Sequence, residues 1–325
     1  MTEKERFIKA LRREPLTGHV PTFELVFFLT LEALGRIAPE QQHFYQWSQM
    51  SDSEREAHFD YIAETYVQVA RKYHHSAIFV QANPGDFDSV VRTIELIREK
   101  SGDEFFIMCH GDPTFEIPNG DNMLEFTARM YEEPEALKRE AQNRLEGSLR
   151  FAENMAKHPG LLDGFALCSD YCFNINPFFS PDMFSEFVAP YLSGVLKEYR
   201  DMGYYSIKHT DGNIMPIIDQ IADCKPDALH SLDPQGGVSL AEVKRLYGNR
   251  LCLIGNVNCG LLQTGTDEEC AADVRRALRE GMPGYGYIFS TSNCVYTGLS
   301  LERYEMMNNI WWNEGVYAPG PDPEI

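Results

Sequence analysis

Short runs of apolar and β-branched residues recur along the chain, and the stretches between them carry apolar residues at helical spacing. Runs of this kind predict buried strands, and the intervening stretches predict amphipathic helices. The predicted strands are residues 19–28, 75–81, 105–112, 164–171, 204–211, 227–234, 251–259 and 287–294. Because these strands alternate with helices, the pattern predicts an α/β protein with the fold of a (β/α)8 TIM-type barrel.

Two segments fall outside the regular alternation. Residues 38–72 predict an N-terminal helical insertion, and residues 314–325, rich in proline and glycine, predict an irregular tail. A doubly wound sheet is the alternative fold, but no Gly-x-Gly-x-x-Gly sequence follows a predicted strand. We therefore predict a single barrel domain over residues 1–325.

The charge of the chain narrows the classes of partner. It has 29 basic and 49 acidic residues and a net charge of -20. Such a surface repels phosphate backbones and anionic lipids, so we expect neither nucleic acid nor membrane as a partner. The N-terminus has no apolar signal core, and the eight cysteines include no Cys-x-x-Cys pair. These features predict a cytoplasmic protein with reduced thiols.

Polar side chains stand at the carboxyl ends of the predicted strands, which form the active-site face of a barrel. His209 and Asp211 end the fifth strand two residues apart, so they face one side where the chain is extended. The other polar residues of this rim, the carboxyl ends of the predicted strands, are Glu24, Gln81, His110, Asp112, Asp170, His230, Asp233, Asn256, Asn258, Asn293 and Cys294. So many polar side chains at one rim favour an enzyme over a binding surface.

Two hypotheses explain this rim. In the first, His209 and Cys294 hold a zinc ion together with a carboxylate, either Asp211 or Glu24, since zinc accepts nitrogen, sulfur and oxygen donors. In the second, His209 and Asp211 transfer protons or bind substrate without a metal. Structural alternatives stand beside both: Cys294 alone is typical of a buried thiol, and Asp112 precedes a proline and would shape a turn.

Several segments resemble the uroporphyrinogen decarboxylase superfamily. They are residues 176–184, 208–214, 227–234, 242–251 and 253–258, whose sequences are NPFFSPDMF, KHTDGNI, DALHSLDP, EVKRLYGNRL and LIGNVN. The superfamily contains true uroporphyrinogen decarboxylases and corrinoid-linked methyltransferases. The resemblance implies the barrel fold and does not by itself select one activity.

The motifs near the first and last strands separate these branches. True decarboxylases carry an arginine-rich motif just after the first strand, whereas this chain has Glu24 in that region and no arginine between Glu24 and Arg36. The zinc methyltransferases bind metal with a His-x-Cys sequence and a later cysteine. Here His209 and Cys294 match, but Asp211 replaces the middle cysteine. The chain is thus more similar to the corrinoid-dependent branch, with a mixed nitrogen, oxygen and sulfur ligand shell.

The resemblance implies a methyltransferase that moves a methyl group between a small methylated compound, such as a methoxylated aromatic, and a corrinoid protein. Zinc would assist, held by His209, Cys294 and either Asp211 or Glu24, with His209 and Asp211 as the catalytic pair. The predicted substrate contacts are Glu24, Asp170, His230, Asn256 and Tyr296, and the loop aromatics Tyr171 and Phe173 would join Tyr296 in an apolar wall. A homodimer through residues 38–72 is a further expectation.

Two other functions stay open at this point. One is metal-free decarboxylation of uroporphyrinogen or a related electron-rich compound, with Asp211 or Asp86 as the acid. The other is a barrel that binds a corrinoid or tetrapyrrole without turnover.

Overall fold

The computed structural model describes residues 1–42 and 46–318. Within these residues, seven parallel strands form one curled sheet in which every strand pairs with its successor in the chain. A separate antiparallel pair joins β1 (Gly18–His19) to β9 (Val316–Tyr317). The strands of the curled sheet are β2 (Ala77–Val80), β3 (Phe106–His110), β4 (Gly164–Leu167), β5 (Tyr205–Thr210), β6 (Ala228–Ser231), β7 (Cys252–Ile254) and β8 (Tyr287–Ile288).

The first predicted strand closes this sheet into a barrel, although it forms isolated bridges instead of a continuous ladder. Phe289 N donates to Pro21 O at 2.9 Å, and Ser76 N donates to Thr22 O at 2.6 Å. Further along, Phe28 N donates to Val295 O at 2.8 Å. The segment 21–28 therefore lies between β8 and β2, and the predicted α/β TIM-type barrel is confirmed.

Helices fill the connections between the strands and surround the sheet. The stretches between the strands form helices, as predicted; Leu240–Tyr247, for example, follows β6 and is capped by the side chain of Ser239. The α-helices are α1 (Glu3–Leu11), α2 (Thr30–Leu34), α3 (Asp52–Lys72), α4 (Phe87–Ser101), α5 (Met123–Glu132), α6 (Pro134–Met155), α7 (Pro181–Phe187), α8 (Ala189–Asp201), α9 (Ile218–Asp223), α10 (Leu240–Tyr247), α11 (Cys259–Thr264), α12 (Asp267–Gly281) and α13 (Leu301–Glu314).

An apolar cluster fills the barrel interior, and α1 covers the end at which the strands begin. Phe7 of α1 is fully buried, with its ring 5.8 Å from that of Phe23 and 4.8 Å from that of Phe106. Small and aliphatic side chains such as Ala166 and Ile207 complete the filling. Since this end is closed, the opposite end, at the carboxyl ends of the strands, is where a ligand can enter.

The two irregular regions differ in how much of them is described. Residues 38–72 contain the 3-10 turns Pro39–Gln41 and Trp47–Gln49 before α3, which packs on α4; residues 43–45 of the predicted insertion lie outside the described residues. The predicted tail begins with the end of α13 and β9, and its residues 319–325 also lie outside the described part. Among the helices that are described, none combines the length and the apolar character needed to span a bilayer.

Candidate functional site

Two neighbouring strands bring two histidines to the open mouth of the barrel. His209 on β5 and His230 on β6 are partners in the parallel register, and both are buried. In-register residues of paired strands point to the same face of a sheet. Their rings meet, with His209 Nδ1 2.7 Å from His230 Nδ1.

A tight turn at Gly212 holds the side chain of Asp211 close to the ring of His209. Gly212 has φ +76°, and a Cβ at this position would lie 2.5 Å from the carbonyl oxygen of Phe173. The turn therefore requires both the left-handed backbone and the absence of a side chain. Its result is that His209 Nε2 lies 3.8 Å from Asp211 Oδ1, so the predicted shared side of these two residues is confirmed.

Gly212→Ala is expected to destabilise the protein by more than about 2 kcal/mol, because the strain of a positive φ adds to a backbone clash. Gly237→Ala is the matched control: Gly237 has φ +75°, but no atom lies within 4 Å of the position that its Cβ would occupy. The control should therefore lose only the strain component, about 1 kcal/mol. Urea unfolding of both variants measures the difference, and equal losses would show that the close approach to Phe173 does not matter.

Asp170 joins His209 and Asp211 in one group. Asp170 lies just beyond β4, and its Oδ1 is 3.7 Å from His209 Nε2. The potential ligand atoms of the three residues all lie within 4.8 Å of one another, the one such group among the described residues. The Asp170 side chain is 44% exposed, while that of His209 is 6% exposed. The group is thus anchored in the barrel and open towards the mouth.

The carboxylate of Asp211 is held on both oxygens. Ser231 Oγ donates to Oδ1 at 2.6 Å, and Asn293 Nδ2 donates to Oδ2. Burial raises the pKa of Asp211, and the nearby His209 opposes this rise. The backbone N–H of Asp211 donates to Asp170 Oδ1 at 3.0 Å, so the two carboxylates are placed by one hydrogen-bonded framework.

Hydrogen bonds fix the tautomers of the histidine pair. His230 Nε2 lies 3.2 Å from the carbonyl oxygen of Thr291, which can only accept, so His230 carries its proton on Nε2. Burial lowers the pKa of His230 well below its ordinary value, with a further contribution from His209, so the ring is neutral and its Nδ1 is an acceptor. His209 must then donate from Nδ1. Its Nε2 is left to face Asp170 and Asp211.

This arrangement calls for a positive charge between the three side chains. A neutral His209 would direct a lone pair at two carboxylate groups, which is unfavourable unless a metal ion or a proton lies between them. One imidazole nitrogen and two carboxylate oxygens are donors that zinc accepts, and the oxygen-rich set also suits harder ions. The chemistry of the donor set therefore fits a metal.

A pocket of about 390 Å³ opens at the same end of the barrel, although none of the three residues of this group lines it. It lies at the carboxyl ends of β2, β3 and β4, and Cys168, two residues before Asp170, lines it. The Gln81 amide and the His110 ring also line it, and neither side chain has a hydrogen-bond partner within the described chain. Burial lowers the pKa of His110, so the pocket presents a neutral ring. Its remaining walls are mostly apolar, including Phe79 and Phe151.

A buried ion pair supports the mouth from the other face of β5. Lys208 Nζ lies 2.7 Å from Asp112 Oδ2, with both side chains fully buried, and also donates to Ser169 O at 2.8 Å. Burial would raise the pKa of Asp112, but Lys208 and the donors Thr114 and Ser169 outweigh it and hold the pKa at about 2. Asp112 shapes its turn as predicted, by accepting from Thr114 N.

Two predicted zinc ligands lie outside the three-residue group. Glu24 is buried, and its carboxyl group is hydrogen-bonded to Thr291 and Ser290. Cys294 is partly buried near Asp211, and burial raises the pKa of its thiol to about 12. The predicted zinc set of His209, Cys294 and either Asp211 or Glu24 therefore stays a prediction, and Asp170 is a further candidate ligand beside His209 and Asp211.

Other predicted site residues have structural partners. Asn256 is fully buried between Leu232 O and Arg276 Nη1, which favours a structural role over the predicted substrate contact. Asp86 caps the N-terminus of α4 by accepting from Ser89 N.

The predicted aromatic wall is only partly available to a ligand. Tyr171 is fully buried, with its hydroxyl bonded to Thr114, while Phe173 is exposed. Tyr296 bonds Gln263 through its hydroxyl at 2.9 Å and remains at the rim.

The sequence reasoning did not group Asp170 with His209 and Asp211, and it missed Ser231 as a partner of Asp211 and the Lys208–Asp112 pair. A signal existed for the last of these. A lysine inside an apolar strand needs a buried partner, and Lys208 stands between Ile207 and His209.

Comparisons with known proteins identify a family and several proteins of similar fold. The family model described as uroporphyrinogen decarboxylase matches residues 67–311, well over half of the chain. No curated protein matches it. A solved methyltransferase from Methanosarcina mazei is similar, with a TM-score of 0.73 and 18% identity over 96% of this chain and 98% of that chain. A candidate vitamin-B12-independent methionine synthase from Listeria monocytogenes has a TM-score of 0.50 and 11% identity over 91% and 96% of the two chains. These likenesses establish the fold.

Proposed function

The chain belongs to the uroporphyrinogen decarboxylase family, and on this basis we propose that it is a methyltransferase that moves a methyl group between a small methylated compound and a corrinoid protein. The observation that carries the proposal is the group of Asp170, His209 and Asp211 at the carboxyl ends of the strands, the end of the barrel at which an uncharged pocket also opens. The fold shared with the Methanosarcina mazei methyltransferase along nearly the whole chain supports it.

The residues of the group have separate tasks. His209 offers Nε2 to a zinc ion, and Asp170 and Asp211 offer carboxylate oxygens. When bound, zinc would stabilise negative charge on the atom that loses the methyl group. His230 fixes the tautomer of His209, and Ser231 fixes the carboxylate of Asp211, as the partners of metal ligands commonly do.

The pocket indicates which kind of methyl donor fits. Its apolar walls, Phe79 and Phe151, suit the body of an aromatic compound, and the free Gln81 amide and His110 ring can hydrogen-bond one polar substituent. A methoxylated aromatic has these features. A tetracarboxylate porphyrinogen does not fit as well, because the ammonium group of Lys208 is already engaged by Asp112 and Ser169.

Methyl transfer to free cob(I)alamin tests the proposal. Purified protein with zinc and a panel of methoxylated aromatics and simple methylated compounds should form methylcobalamin, which is followed by its absorbance. Methylation by at least one aromatic ether supports the proposal. Decarboxylation of uroporphyrinogen without methyl transfer from any donor would overturn it, and corrinoid binding without turnover would favour a binding protein.

A further inference from the structure

Glu24 is a buried acid that the chemistry above does not use. It lies in the segment that closes the barrel and is 5% exposed. Thr291 N donates to Oε2 at 3.3 Å, and Ser290 Oγ lies 3.2 Å from the same oxygen. Tyr304, whose hydroxyl is hydrogen-bonded to His75 at 3.0 Å, lies near Glu24. A charge here has little access to water.

The contacts of Thr291 locate a proton on Glu24. The Thr291 hydroxyl lies 2.6 Å from Asn293 O and 2.5 Å from Glu24 Oε2. A hydroxyl has one proton, and a carbonyl oxygen can only accept. The Thr291 proton therefore goes to Asn293 O, and the proton in the second contact comes from Glu24.

The segment 290–294 connects Glu24 to both parts of the functional group. The carbonyl oxygen of Thr291 accepts from His230, which fixes His209. The side chain of Asn293 donates to Asp211. The loop that is hydrogen-bonded to Glu24 thus orients the His209 imidazole, through His230, and the Asp211 carboxylate.

We propose that Glu24 is a positioning residue, which as a protonated carboxylic acid fastens the segment 290–294 and through it orients His209 and Asp211. The catalytic part of this inference rests on the proposed function, whereas the orientation of the histidine pair does not.

Titration of Glu24 follows from the same contacts. Burial raises the pKa of Glu24 to about 8, against the hydrogen bonds that its carboxyl group accepts from Thr291 N and Ser290 Oγ. Above that pH Glu24 loses the proton that it donates to the Thr291 hydroxyl. The segment 290–294 then loses the hydrogen bond that holds it to Glu24. Other titratable groups near Glu24 or its cavity are His75, His230, Glu40, Tyr66, Tyr304, Cys259 and Cys294.

Most of these neighbours do not change charge near pH 8. Burial lowers the pKa of His75 to about 3 and raises the pKa values of Cys259 and Cys294 to about 12. Glu40 is the exception that needs a control, because burial raises its pKa as well. Glu40→Gln removes its titration.

The test compares the pH dependence of wild type, Glu24→Gln and Glu40→Gln. Glutamine keeps a donor for Thr291 and does not titrate, so Glu24→Gln should retain methyl transfer at pH 7. Between pH 8 and 9.5 wild type and Glu40→Gln should lose activity about fifteenfold, since the protonated fraction of an acid with a pKa of about 8 falls from about one half to about 3% over this range. Glu24→Gln should stay flat. The same alkaline loss in Glu24→Gln would overturn the proposal.

A spectroscopic readout separates this inference from the proposed function. With 15N-labelled histidine, the ring signals of His209 and His230 should shift near pH 8 in wild type and not in Glu24→Gln, whether or not the protein transfers methyl groups. Signals that shift identically in both proteins, or in neither, would contradict the positioning role. Glu24→Ala, if it folds, should show the high-pH signals at pH 7.

Discussion

Replacement of His209 by alanine is expected to reduce methyl transfer by about a thousandfold or more, the range for loss of a group that holds a metal or moves a proton in the transition state. His209 is the residue that contacts all of the others. Its Nε2 faces the carboxylates of Asp170 and Asp211, and its Nδ1 is hydrogen-bonded to His230. The initial rate of methylcobalamin formation measures the effect.

A matched control separates this loss from a general histidine effect. His158→Ala changes a partly exposed ring near the end of α6, where its contact is with Phe87. This variant should transfer methyl groups at the wild-type rate. Normal turnover in His209→Ala, with intact circular dichroism in both variants, would remove His209 from the mechanism.

Lys208→Met is expected to cost about 3–5 kcal/mol of unfolding free energy, because it leaves the Asp112 carboxylate buried without its partner. Both side chains are fully buried at a separation of 2.7 Å. Urea unfolding at pH 7 gives the loss. The double variant Lys208→Met/Asp112→Asn should recover much of it, since the remaining amide can still be hydrogen-bonded.

An exposed ion pair of the same length is the control. Lys197 and Asp201 also lie 2.7 Å apart, but their side chains are 65% and 58% exposed. Lys197→Met should therefore cost less than about 1 kcal/mol. A similar small loss for Lys208→Met would mean that the buried pair does not support the mouth of the barrel.

The sequence was sufficient to predict the barrel because most strands of the curled sheet are buried on both faces and form apolar runs. Residues 77–80, with the sequence AIFV, are an example, and the alternation of such runs with helices leaves few topologies. The first strand was also predicted, but its formation as bridges was not. Phe28 bonds Val295 beyond the end of β8, a pairing that depends on how the sheet closes and not on local pattern.

The candidate site was only partly predictable for a related reason. His209 and Asp211 are close in sequence, so the spacing along one strand was enough to place them together. Asp170 comes from another strand, and its distance to His209 depends on the register between β4 and β5. Glu24 has the character of a ligand in the sequence, but only the structure shows its carboxyl group engaged by Thr291.

Resemblance to the zinc methyltransferases was more informative about the branch than about the ligand set. The match at Cys294 suggested a thiolate ligand, whereas in the structure the oxygen donors Asp170 and Asp211 lie with His209 and Cys294 lies outside their group. A change from cysteine to aspartate at position 211 alters which neighbours can share a metal, because the carboxylate accepts hydrogen bonds from Ser231 and Asn293 that a thiolate would accept weakly.

Zinc content tests the central claim most directly, that Asp170, His209 and Asp211 hold one metal ion. Wild type, His209→Ala, Asp170→Asn and Cys294→Ala would be purified without chelator, equilibrated with zinc, desalted and measured by mass spectrometry of the metal. We expect about one equivalent in wild type and in Cys294→Ala, and its loss in His209→Ala and Asp170→Asn. No zinc in wild type, or loss in Cys294→Ala with retention in Asp170→Asn, would contradict the claim.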